Sequence, residues 1–317
     1  MSDLALQLTL RAWFVQHFRP MYLADAKPAT VDQYEQLIRL WEATTKDPVL
    51  KLIDAATLAL FRDSLRARPG RRPGSTVVNE TVNKHLRTLN ALLAKAGPQE
   101  RGQRDAMGLL QRVPWIRELR TKRRRPKIFQ LEQLGALYDN ADEALHPRDL
   151  PFTPGTWWRS LFVAAYNLAL RRAALLTLRW SAIDVAGKTV VVDAEDDKCD
   201  EERSKPLNAI TVKHLLAVRT SSPLVFPFNR SWKCFYVSWH AIRESAGVPQ
   251  TLSFHNIKKT HGTNLSHHAS PWQVQQMLDH ASIQTSMRYV DGSLGLQAAV
   301  DQLQQPQAFT KGEQWNS

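Results

Sequence analysis

The chain has 317 residues, and 42 lysines and arginines against 30 acidic residues leave a formal net charge of +12. With 43% hydrophobic and 23% charged residues it has the composition of a folded protein and not of a disordered one. No apolar stretch approaches the length of a membrane span, Asp3 argues against a signal peptide, and Cys199 and Cys234 lack metal-ligand spacing and are too few for a disulfide framework. A reducing cytoplasm is the expected setting. The length allows two domains, and the positive surplus favours a polyanionic partner through counterion release.

The first hundred residues read as helices. Leu10, Trp13, Phe14 and Phe18 recur at helical spacing and share a face. Thr30 with Gln33 forms a capping box and predicts the start of a helix whose apolar side carries Val31, Tyr34, Ile38 and Trp41. A third helix holds Leu58, Phe61 and Leu65 and stops before Pro69-Gly70. A fourth holds Val82, Leu86, Leu89 and Leu93 and ends at Gly97. Four such helices can share one core, which predicts a helical domain over residues 1–118. The polar face of the fourth helix, with Asn79, Lys84, His85 and Arg87, either meets a polyanion or is simply solvated.

Residues 119–127 form a basic linker: Arg120, Lys122, Arg123, Arg124, Arg125 and Lys127 surround Pro126, which interrupts any helix. These cations read as phosphate contacts, with a solvated linker as the alternative. A second domain is expected over 128–303 and a polar tail over 304–317. It opens with a helix at Phe129 to Leu134 and continues into an apolar, aromatic-rich stretch, Trp157 to Leu178, with Arg171 at the end of a helix. Then the period changes. Thr189 to Val192 is β-branched, Asp193 to Glu202 is a charged turn, and Arg203 to Ile210 alternates less cleanly, which predicts a hairpin. Helices return after Val212: around Trp232 to Ala246, around Lys258 to Ser266, and from Ser270, where an N-cap serine, Pro271 and Gln273 combine three start signals.

Several features of the second half carry chemistry. Arg171 and Arg172 lie in an apolar stretch, where an unpaired charge is costly, and a guanidinium fork suits the non-bridging oxygens of a phosphate. Lys198 sits among Asp196, Asp197, Asp200, Glu201 and Glu202, which raise its pKa and repel phosphate. His255-Asn256-Ile257-Lys258-Lys259-Thr260-His261 gathers imidazoles and cations. His280 stands nine residues before Tyr289. Taken singly each has an ordinary structural reading. Together they supply a phenol nucleophile, cations for charge developing on a phosphate, and a proton donor, without any metal cluster.

In order and spacing these motifs resemble the tyrosine recombinase (phage integrase) family. Leu170-Arg171, Leu175, Leu178 and Trp180 match its Thr-Gly-Leu-Arg-(Arg)-x-x-Glu-Leu-x-x-Leu-x-Trp box in register, with Ala169 and Ala174 replacing glycine and glutamate. Lys198, Arg203, Pro206 and Leu207 match its Lys-x-x-x-x-Arg-x-x-Pro-Leu hairpin. His255 opens the His-x-x-Arg box, with Lys258 in place of the arginine, and Leu278-Asp279-His280 matches Leu-Gly-His. The resemblance implies a mostly α fold with a small antiparallel β element, built as a two-domain C-shaped clamp: a helical core-binding (SAM-like) domain plus a catalytic domain, closed on double-stranded DNA. It implies a site-specific recombinase or integrase of a prokaryotic mobile element, acting as a homotetramer on two sites through a 3′-phosphotyrosyl intermediate. No cofactor, metal, membrane or small-molecule substrate enters. Tyr289 would be the nucleophile, Arg171, Lys258 and His280 the transition-state stabilisers, Lys198 the general acid and His255 a supporting acid–base group. Lysine keeps the charge of the missing arginine but loses its fork, so a DNA-binding accessory factor with weakened or lost cleavage is the alternative.

Overall fold

The aromatic spacing near the start of the chain produces a helix, α1, over residues 10–22 of the computed structural model, whose described residues are 7–70, 73–99, 104–121, 126–192, 203–279 and 282–287. Its middle turn, Phe14–Phe18, is a π-helix. Pro20 explains the wide turn, since it lacks an N–H and its ring crowds the carbonyl four residues earlier. Leu10, Trp13, Phe14 and Phe18 are all buried, as their spacing predicts.

Helix α2 spans Pro28–Thr45 and begins at the proline, with Lys27 as a cap that makes no side-chain bond. The expected Thr30 capping box is therefore not the start: a proline at the first helical position, with its φ already set, lies upstream of it. Helix α3, Ala55–Ala67, is capped by the Asp54 carboxylate accepting from the Thr57 amide. Helix α4 spans Asn79–Ala96. These four helices close over one core with Trp41, Phe61, Leu86, Leu89 and Leu93 at its centre.

Burial corrects the reading of the polar face of α4. His85 is buried at 7% exposure, and loss of hydration, with repulsion from Lys84 and Arg68, lowers its pKa. Asn79 and Asn83 donate to the carbonyls of Arg120 and Leu119, so the segment after residue 104 is laced along α4. Arg87 pairs with Glu118 at 3.1 Å, while Lys84 and Arg120 are exposed.

The chain splits into two units, Met1–Arg123 and Arg124–Ser317. The second unit opens at α5, Leu131–Asp139, with Gln130 and Gln133 forming a reciprocal capping box. Helix α6, Pro154–Asn167, is buried along most of its length, and its Trp157, Trp158 and Phe162 pack edge-on or tilted against Phe226, Phe235, Trp239 and Phe254. Aromatic pairs of this kind contribute about 0.5–1.5 kcal/mol each beyond their buried area.

The apolar stretch does not continue as one helix. Residues 168–171 break it, and a short helix α7, Arg172–Thr177, follows. Arg171 is thus the extended cap before a helix and not the end of one. The break turns at Ala169, whose φ is +51°.

A three-stranded antiparallel sheet follows in the order β1 (Ile183–Asp184), β2 (Thr189–Val192) and β3 (Arg203–Pro206), with Val190 opposite Lys205. The second strand ends sooner than expected, because Asn208 caps α8, Ala209–Ala217, and takes Ile210 into that helix. Helix α9 spans Trp232–Ser245, α10 spans His255–Leu265, α11 spans Pro271–Leu278 and α12 spans Ile283–Ser286. Ser270 and Gln273 form the predicted capping box of α11.

Helices α10 and α11 approach so closely at Gly262 that a Cβ there would lie 2.6 Å from the Leu278 side chain, which is fully buried. Among the described residues no helix is long and apolar enough to cross a membrane.

Candidate active site

Three structural pieces bring charge to one place in the second unit: the break before α7, the N-terminal half of α10 and the C-terminal end of α11. The break is anchored by Ala169, which packs against Val274 and Leu278 of α11. This contact carries the neighbouring Arg171 to the end of α11, where its guanidinium donates to the Asp279 carbonyl at 3.4 Å. Asp279 is the left-handed cap of α11, at φ +51° and ψ +46°. Ala169 and Asp279 stand where the family motif has glycine, and both keep the backbone that glycine adopts most easily. A left-handed L-residue costs about 1–2 kcal/mol, and aspartate is among the side chains that tolerate it best.

Helix α10 is held in rotation from its far side. Asn256 donates to the Lys127 carbonyl at 2.7 Å, and the Phe129 amide donates to Thr260 Oγ1 at 2.9 Å. That fixes Lys258 inward, 5% exposed, with its ammonium 3.4 Å from Asp279 Oδ2. Burial lowers its pKa to about 7, partly opposed by Asp279 and reinforced by repulsion from Lys205 and Arg171. Lys259, one step round the helix, is only partly buried.

His255, on the first turn of α10, is exposed. Although the residue as a whole is exposed, lost hydration of its ring is the largest cause of a pKa lowered to about 4, followed by repulsion from Lys259, Lys258 and Arg171. Its imidazole is therefore neutral at pH 7, and it can accept a proton or a hydrogen bond. The arrival of an anion would raise that pKa again.

Of the residues singled out from the sequence, Arg171, His255 and Lys258 converge here. Lys198, His280 and Tyr289 lie outside the described residues, as do Lys122, Arg123, Arg124 and Arg125. Lys127 is exposed. Ala174, at the glutamate position, is buried in the aromatic core of the unit. Arg172 is turned away from the cluster: its guanidinium lies 3.8 Å above the Trp232 ring and donates to the Tyr236 hydroxyl at 2.8 Å.

Two further charged groups were not legible as site residues. Lys205 on β3 is buried, and its ammonium lies 2.8 Å from Asp279 Oδ1 and 2.9 Å from Oδ2. The signal was available in the period-two alternation that puts Lys205 on the same side as Leu207. In the sequence Asp279 stands only as a replaced glycine, although its carboxylate anchors both lysines.

His261, on α10, packs edge-on to the Tyr166 ring, and its buried Nε2 has no hydrogen-bond partner among the described residues. Burial, with repulsion from Lys205, lowers its pKa to about 4.

These depressed histidines carry a pH signature. Between about pH 6.5 and 4 the unfolded chain binds protons that the folded chain refuses, so acid destabilises the fold across that window. The melting temperature should fall steadily from pH 6.5 to 4.5, and His261→Gln should flatten the decline. A melting temperature independent of pH over that range, in both proteins, would refute the assignment.

The fold resembles those of solved DNA-bound proteins. The Tn1549 transposon integrase (residues 82–397), in complex with circular intermediate DNA, is similar with a TM-score of 0.68 at 13% identity, covering 94% of this chain and 100% of that one. The lambda integrase (residues 75–356), a dimer bound to a COC′ core site, gives 0.67 at 17% identity, covering 90% and 96%. The XerH site-specific recombinase, bound to a palindromic difH substrate, gives 0.64 at 18% identity, covering 88% and 82%. At these identities the likeness is one of fold. No curated protein matches the chain by sequence. The model of the phage integrase family matches residues 127–293, more than half of the chain and all three pieces that surround Asp279, and the chain belongs to that family.

Proposed function

We propose that this protein is a site-specific DNA strand transferase that cuts and rejoins duplex DNA through a 3′-phosphotyrosyl bond. The observation that carries the reading is the convergence of Arg171, from the break before α7, with His255 and Lys258 of α10 at the turn that leads directly into His280. The family membership, a net charge of +12 and the DNA-bound state of the three similar structures support the same partner.

The Tyr289 oxygen attacks the scissile phosphorus as the bond to the 5′-oxygen breaks, and Lys198 passes a proton to that oxygen. Arg171, Lys258 and His280 stabilise the charge that grows on the non-bridging oxygens, and a guanidinium does so through two hydrogen bonds at once. Neutral His255 takes or holds a proton beside them. In the reverse step an incoming 5′-hydroxyl attacks the phosphotyrosyl phosphorus and the phenol leaves. The number of phosphoester bonds is unchanged throughout, so no ATP is consumed. Four copies on two sites exchange strands in this way, while Lys84, Arg87, Arg120 and the basic run through Lys127 contact backbone phosphates.

A nicked suicide duplex containing the element's attachment region tests the reading. Wild type should give a covalent protein–DNA adduct on a denaturing gel, and Tyr289→Phe should give none while binding the duplex equally well. Tight binding by wild type without any adduct would hand the protein to the accessory, non-cleaving class.

A further inference from the structure

Lys205, Asp279 and Lys258 form a buried charge cluster, each no more than 5% exposed. An isolated buried charge costs several kcal/mol, so the three must balance one another. They do so unequally. The Lys205 ammonium touches both oxygens of Asp279, at 2.8 and 2.9 Å, and donates to the Met277 carbonyl at 2.5 Å. Lys258 reaches a single oxygen, at 3.4 Å. Attraction between charges falls with distance, and the shorter, doubled contact takes the larger share of the anion.

The charge count gives this asymmetry a use. With both lysines protonated, two ammonium groups and one carboxylate leave one positive charge, and an arriving phosphate favours that state by raising the Lys258 pKa from about 7. With Lys205 on the carboxylate, the surplus resides on Lys258, beside Arg171 and His255. Remove Lys205, and the same carboxylate would claim Lys258 for itself and neutralise its charge, leaving only Arg171, among the described residues, to face a phosphate.

We propose that Lys205 is a positioning residue of this site: by occupying the Asp279 carboxylate, it keeps Lys258 from collapsing onto that anion and leaves the Lys258 ammonium for a DNA phosphate. The proposal rests on the strand-transferase reading for its phosphate, and on the geometry alone for the partition of charge. It also relates three residues that look unconnected in the sequence. A lysine that lacks the arginine fork remains useful at position 258 because a second lysine has taken the nearby carboxylate. Among the described residues, the groups that face Lys258 are Asp279 and Lys205, Arg171 from the break before α7, and His255 and His261 on its own helix.

Two measurements on the full chain test this. The first follows the Lys258 side chain by NMR titration after 13Cε-lysine labelling, with its signal identified by its loss in Lys258→Met. Lys205→Met should shift the Lys258 midpoint upward by about one unit and Asp279→Gly should shift it downward, since one removes a repelling cation and the other the attracting anion. The opposed pair tests the partition of charge, and the cleavage rate tests whether that partition positions Lys258 or only holds the fold. An unmoved midpoint, or two shifts of the same sign, would overturn the proposal.

The second measurement is single-turnover cleavage of the suicide duplex at saturating protein. Lys205→Met should cleave about tenfold or more slowly, with duplex affinity within about threefold of wild type, even though its Lys258 is more firmly protonated. Lys205→Met/Asp279→Gly, which removes both charges together, should recover most of the rate. Wild-type cleavage by Lys205→Met would overturn the proposal. Should that variant fail to fold, the double variant decides in its place, and a folded double variant that does not cleave counts against the idea. If wild type itself forms no adduct, the strand-transferase reading fails and the titration alone judges Lys205.

Discussion

Arg171→Ala is expected to slow covalent adduct formation by about a hundred- to a thousandfold while leaving duplex affinity within a few fold. The asymmetry follows from where the guanidinium sits. On the proposed reading it is one of many cations that meet the DNA backbone, so its loss removes about one counterion from the salt dependence of binding. In the proposed transition state, by contrast, it faces the oxygens on which charge accumulates. Arg172 cannot step in, because its guanidinium is already stacked on Trp232 and bonded to Tyr236. Single-turnover rates at saturating protein measure the effect directly. A rate within about fivefold of wild type would remove Arg171 from the reaction, and a parallel collapse of affinity would make it a binding residue instead.

Lys258→Met should produce the second large effect, a fall of about a hundredfold in cleavage with little loss of stability. Breaking a buried ion pair from one side ordinarily costs about 3–5 kcal/mol, because a charge is left without a partner. Here Asp279 retains Lys205 at 2.8 Å, so the substitution strands no anion. Thermal melting distinguishes the cases: a small shift fits a carboxylate held by Lys205, whereas a drop of tens of degrees would make Lys258 its main partner. Lys258→Arg should cleave faster than wild type, because Lys205 already holds the Asp279 carboxylate and the new fork is left to the phosphate. No gain in that variant would mean that lysine is not the limiting substitution.

Much of the helical architecture was legible because burial writes itself into spacing. Leu10, Trp13, Phe14 and Phe18 announced α1, and Ser270, Pro271 and Gln273 announced α11 almost to the residue. The misreadings have specific causes. The run through Trp157 to Leu178 is apolar on both sides of its break, and the break turns on an alanine at φ +51°, so neither periodicity nor a glycine marked it. His85 reads as polar but faces the core of its unit, where helix position outweighs residue type. Pro28 started α2 ahead of a plausible capping box.

In the site, Arg171 and His255 match motif positions and Lys258 stands where the motif has arginine, so residue types could point to all three. They could not reveal the carboxylate between the lysines. Asp279 looked like a mere departure from glycine, and Lys205 like one more charge beside an acidic turn. Only the third dimension pairs a strand residue with a helix cap some seventy positions later.

The seating of Ala169 against Val274 and Leu278 has a mechanical consequence. The loop that bears Arg171 and the helix that leads into His280 and Tyr289 are joined through a dry apolar contact, and Arg171 grips the far end of that helix through its backbone. A shift of α11 must carry the guanidinium along with it. The charged groups gathered at Asp279 would then move as one body, and displacing α11 would withdraw Arg171 in the same movement.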